Sequence, residues 1–86
     1  MTELNTWKKT VLNVLISAKE KIEAVEHFHV NTVRIAIREA TGDNWIDTAL
    51  ASIAVSNAWY FPKDKQAALN DFDQAITKYL NETVSF

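Results

Sequence analysis

The sequence predicts an all-α fold, a compact bundle of about four helices, and three observations carry that expectation. Apolar residues recur every three or four positions along most of the chain, the spacing of one face of an α-helix. Glycine and proline occur only once each, at Gly42 and Pro62, whereas a β-rich or loop-rich chain needs many turn residues. Hydrophobic residues make up 48% of the sequence, three Trp, four Phe and two Tyr among them, a composition too apolar for disorder. A split of the 86 residues would leave two halves too small to build cores, so a single helical domain over 1–86 is expected.

The first helix is predicted over 3–27. Leu4, Trp7, Val11, Val14, Ala18, Ile22 and Val25 form its stripe, and Leu12, Leu15 and Ile16 widen it. Thr2 suits the N-cap, and Glu3 suits the positive end of the helix dipole. Lys8, Lys9, Asn13, Lys19, Glu20 and Glu23 read as a solvated face, with Lys19 and Glu23 placed to pair one turn apart. The segment His27-Phe28-His29-Val30 breaks the pattern. Asn31 then offers an N-cap for a second helix over 31–41, with Val30 as the apolar residue just outside it. Val33, Ala36, Ile37 and Ala40 make the inner stripe of this helix, with Ile35 on its flank, and Gly42 stands where a helix-terminating glycine belongs.

Asp43 or Asn44 can cap a third helix over 44–60. It is apolar nearly all round, from Trp45 and Ile46 through Ala49, Leu50, Ala51, Ile53, Ala54, Val55 and Ala58 to Trp59 and Tyr60, and only a thin polar strip remains. Such a helix is expected at the centre of the bundle, with Leu50 and Ile53 in the core, so that an unpaired charge at either would unfold the domain. Phe61-Pro62 ends it, because the residue before proline avoids the helical region. Asp64 caps a fourth helix over 64–82, whose stripe is Leu69, Phe72, Ile76, Tyr79 and Leu80. The tail Thr83-Val84-Ser85-Phe86 is apolar enough either to fray or to pack back.

Composition excludes several kinds of function. Without cysteine there is neither a disulfide framework nor a thiolate zinc site. No basic-then-apolar leader opens the chain and no apolar run approaches the ~18 residues of a membrane span, so a cytoplasmic location and no membrane partner are expected. A net charge of −2, with acids and bases mixed, lacks the electrostatic pull that nucleic acid demands. The second and third helices have the lengths of a helix-turn-helix, yet the third holds no Lys or Arg and begins among Asp43 and Asp47, so no DNA partner is expected. Glu23, Glu26, His27 and His29 gather metal-type ligands, and Glu26-x-x-His29 has the spacing of a di-iron bundle motif. Such a site needs that motif twice plus two further Glu, and the chain has two His in all, so neither metal nor other cofactor is expected. No cysteine nucleophile, Gly-rich phosphate loop or local Ser-His motif is present, and a non-enzymatic role is expected.

Two surfaces remain as candidates. Arg34 and Arg38 lie one helical turn apart and could converge on one anion; otherwise they are solvated or pair with Glu39, Asp43 or another helix. Lys8-Lys9 and Lys63-x-Lys65 read as solvated. The third helix carries a surplus of apolar surface, with Ala49, Ala51, Ala54, Ala58, Ser52 and Ser56 permitting close approach and aromatic residues at both ends. Either the other three helices wrap it, or a partner covers it. The chain is therefore expected to be a protein-binding module, an adaptor or inhibitor that forms a homo-oligomer, with Trp45, Ala51, Ser52, Val55, Trp59, Tyr60 and Phe61 at or near the interface.

The stretch Trp45-Ile46-x-x-Ala49-x-x-x-Ile53, continued to Trp59, resembles the helical hairpin of small phage proteins that sequester cyclic-nucleotide signals, over a minor part of the chain. That resemblance implies an alternative, an oligomer cleft lined by Arg34 and Arg38 that holds a phosphorylated small ligand such as a cyclic nucleotide.

Overall fold

A computed structural model describes residues 3–84, with side chains described for 7–82. Thr2, Ser85 and Phe86 lie outside the described residues, as do the side chains of Glu3, Leu4, Thr83 and Val84, so the N-terminal cap and the packing of the tail are not addressed. Five helices follow one another: α1 (Glu3–Ala24), α2 (Thr32–Thr41), α3 (Trp45–Ala54), α4 (Ser56–Tyr60) and α5 (Lys65–Val84), with no strand among the described residues. The fold is all-α, as the periodicity predicts. No helix among the described residues is long and apolar enough to cross a membrane.

The centre of the bundle is α1, not the third predicted helix. It packs most extensively against α5 and α2, and also against α3. Val11, Leu15, Ala18 and Ile22 step along it by four, three and four residues and are all fully buried. Opposite them, α5 supplies Phe72, also fully buried, between Ala68 and Ala75, whose small side chains let the two helices come close. Burying Phe72 removes from water a side chain worth roughly 1.5–3 kcal/mol. Leu80, assigned by its spacing to the α5 stripe, is instead about half exposed.

Polar contacts fix the antiparallel register of α1 and α5. Lys8 pairs with Glu82 at 3.0 Å near one end, Lys19 pairs with Asp73 near the other, and the rings of Trp7 and Tyr79 meet edge-on at 6.1 Å and 84°. Lys19 thus reaches across to α5 instead of pairing with Glu23 on its own helix, and Lys8 is not solvated. The link to α2 is looser, with Lys21 and Glu39 4.0 Å apart.

α1 ends at Ala24, three residues before the expected boundary, because a distant side chain takes over its terminal carbonyls. Lys65 Nζ donates to the carbonyls of Glu23 at 3.0 Å and Val25 at 2.8 Å, placing a cation at the negative end of the helix dipole. Asn31 does occupy the N-cap position of α2, but its side chain makes no capping bond. Thr32 Oγ1 accepts the His29 N–H at 2.9 Å, and His29 Nδ1 accepts the Asn31 N–H at 3.2 Å. Val30 stays largely exposed and does not pack against the helix it precedes.

Gly42 closes α2 in the left-handed region, at φ 62° and ψ 33°. Its N–H donates to the Glu39 carbonyl and the Asp43 N–H to that of Arg38, the pairing of a Schellman motif. Asn44, not Asp43, caps α3, its side chain accepting the Asp47 N–H at 3.0 Å. Asp64 caps α5 in the same way, accepting the Ala67 N–H at 2.8 Å.

The predicted third helix is interrupted. Val55, at φ −123° and ψ 46°, separates α3 from the single turn and a half of α4. One turn earlier the Ser52 hydroxyl donates to the Ala49 carbonyl at 2.8 Å, a back-bond that bends helices. The break lets Val55 and Ala58 both enter the core, with α4 resting on α5 and α2.

Candidate interaction surface

On α3 the large apolar side chains point away from the core. Trp45, Ala49 and Ile53 are spaced by one turn each, and Ile46 lies beside them, so the four share an arc of about 100° of the helix. All four are exposed, Trp45 by 77%, Ile53 by 70% and Ile46 by 51%. Leu50 borders this arc and is half-buried against the core. The opposite arc, which faces α1 and α2, holds the smaller or more polar Thr48, Ala51, Ser52 and Val55.

That arrangement corrects the expected interface and the expected core together. Ala51, Ser52 and Val55 are buried inside the protomer and offer nothing to a partner, while Ile53, expected in the core, stands in solvent. Local satisfaction of the hydroxyls makes this burial possible. Thr48 Oγ1 lies 2.8 Å from Thr41 Oγ1, and Ser52 bonds to Ala49, so neither needs water; no buried side-chain nitrogen or oxygen among the described residues lacks a partner. Small residues also allow α3 to seat closely on its neighbours. Hydropathy alone could not choose between the two arcs of a helix that is apolar on both.

The aromatic end divides. Trp59 is half-buried and Arg34 covers it, with the guanidinium carbon 5.5 Å from the ring centre and Nε donating to the Trp59 carbonyl at 3.3 Å. Tyr60 and Phe61 are 59% and 76% exposed, with ring centres 6.4 Å apart. Arg38 turns to Asp43, its Nε 3.4 Å from the carboxylate. The two arginines therefore share no partner: one is anchored on α4 and the other on the turn after α2.

Glu23, Glu26, His27 and His29 do not assemble; among the described residues no group of three or more His, Cys, Asp or Glu side chains is placed to hold a metal ion. His27 and His29 instead line a shallow hollow of about 140 Å³ beside Thr32 and Ile35.

No protein-family model, no curated protein and no solved structure matches this chain.

Two groups have displaced ionisation, and both belong to the α1–α5 seam. Burial, reinforced by the Glu82 charge and opposed by Lys8, pushes the Tyr79 phenol above its ordinary value. The hydrogen bond to Asp73 holds the Lys19 ammonium above its own, against the effect of burial. The outward arc of α3 contains no ionisable side chain at all, so its chemistry is that of apolar contact.

Proposed function

We propose that this chain is a small non-catalytic protein-binding module, an adaptor or inhibitor, that works through the outward face of α3 and self-associates through it. The inverted packing of α3 carries the reading. A helix that turns Ala51 and Ser52 inward and leaves Trp45, Ile46 and Ile53 in water forgoes burial worth roughly 1.5–3 kcal/mol for each large side chain. A partner surface recovers that burial. Contiguous exposed apolar patches on small domains commonly mark interaction sites, and tryptophan is a frequent anchor residue in them. A cytoplasmic location is part of the same proposal, and it is compatible with described helices none of which is long and apolar enough to cross a membrane.

Light scattering at rising protein concentration tests this. The expected result is a mass that climbs toward that of a dimer, and an Ile53→Asp variant that keeps parental helicity, melts like the parent at dilutions where both are monomeric, and stays monomeric as concentration rises. A parental mass that never departs from the monomer value overturns self-association.

A further inference from the structure

We infer that residues 55–62, α4 with its two ends, form a hinged strap that opens and recloses while the rest of the bundle stays folded, and that Arg34 is its latch. Nothing in this motion depends on what meets α3. The α4 helix has five residues, too few to hold a helix without neighbours. Of these only Ala58 is buried, while Trp59 is half-buried and Ser56, Asn57 and Tyr60 are exposed. No side chain caps its first turn. By contrast, α1 and α5 meet through Leu15, Ile22 and Phe72, all fully buried. The free energy of opening a segment follows the apolar contacts it buries, so α4 lies at the low end of the scale and the α1–α5 pair at the high end.

The strap has a hinge at each end and hollows on both sides. Val55, at φ −123° and ψ 46°, and Phe61, at φ −130° and ψ 59°, both leave the helical region, and Pro62 follows the second. Element-terminal residues of this kind absorb the backbone rotation of a hinge. Against α5, α4 is flanked by a hollow of about 200 Å³ that reaches Gln74 and Lys78 and by another of about 240 Å³ that reaches Lys63 and Ala67. Asn57 of α4 and Asp71 of α5 line both, so α4 is the wall between them. Opening merges the two into one groove along α5. What resists it is Arg34, whose guanidinium carbon lies 5.5 Å from the Trp59 ring centre while Nε holds the Trp59 carbonyl at 3.3 Å.

Amide hydrogen exchange followed by NMR on the full chain tests this. The Trp59 and Phe61 N–H groups donate to the Val55 and Asn57 carbonyls inside the strap. They are expected to exchange more than about tenfold faster than the Leu15 and Ala18 amides of α1. Urea below the unfolding transition should leave the first pair unchanged and speed the second. Arg34→Ala should speed Trp59 and Phe61 exchange about fivefold, because the opening breaks that contact. With no native cysteine, thiol labelling gives a second readout: Ala58→Cys, 3% exposed, should react faster than Ala18→Cys, 0% exposed, at a rate that low urea does not change. Circular dichroism checks that both variants keep parental helicity; if either does not, the exchange data decide. Trp59 and Phe61 amides that share the protection and urea dependence of Leu15 and Ala18 overturn the strap. Fast exchange that Arg34→Ala leaves unchanged overturns the latch.

Discussion

Arg34 lies across Trp59, its guanidinium carbon 5.5 Å from the ring centre and its Nε hydrogen-bonded to the carbonyl of the same residue. One side chain of α2 thereby holds both the ring and the backbone of α4, a helix too short to persist without neighbours. The contact also explains why a second arginine one turn away does not create an anion site: Arg34 is already engaged.

Arg34→Ala is therefore expected to lower stability by about 1 kcal/mol, the scale of a surface cation–π contact with one modest hydrogen bond. Arg34→Lys should fall between, since it keeps the charge but loses the planar group that spans ring and carbonyl. Urea denaturation of the three proteins at equal concentration measures this. Equal midpoints would mean that the contact holds nothing in place.

What the sequence made legible was local. The buried positions of α1 follow from residue spacing, and the caps Asn44 and Asp64 and the terminator Gly42 follow from backbone chemistry confined to a few neighbouring residues. What it hid was tertiary. The early end of α1 depends on Lys65, forty residues away from Val25, and Lys19 prefers Asp73 on another helix to Glu23 on its own. The break at Val55 follows from core packing and from a serine back-bond. The outward aim of Ile53 is a choice between two arcs of an almost wholly apolar helix, made possible by hydroxyls satisfied within the protein, and no periodicity records that.

Gly42 has φ +62°, and a Cβ added there would meet nothing within 4 Å. The effect of Gly42→Ala is thus a backbone effect free of collision, and left-handed geometry costs an L-residue roughly 1–2 kcal/mol. Destabilisation of that size is expected with an unchanged denaturant slope, and Gly42→Asn should lose less, because asparagine tolerates this region better. Asp43, also at positive φ, already accepts such strain and places its carboxylate near Arg38. If Gly42→Ala matched the parent in urea, the left-handed closure of α2 would be the wrong account of the turn.

The α1–α5 seam should loosen in alkali. Tyr79 and Lys19 both have ionisation values raised in the folded state, the first mainly by burial and the second mainly by its hydrogen bond to Asp73. A raised folded value means that the native state holds its proton more tightly than the unfolded chain. The stabilisation is complete below the unfolded value and is lost as pH rises through the folded one. For a phenol and an ammonium that window opens at about pH 10. Loss of the Lys19 charge also abolishes its pairing with Asp73, and an ionised Tyr79 would sit against Trp7 and near Glu82, so both changes loosen the same helix pair. Melting curves between about pH 7 and pH 11 are expected to be level at first and then to fall. Tyr79→Phe, which keeps the ring against Trp7 but removes the ionisable group, should make that fall shallower; an alkaline decline as steep as the parent's would show that the phenol takes no part in it.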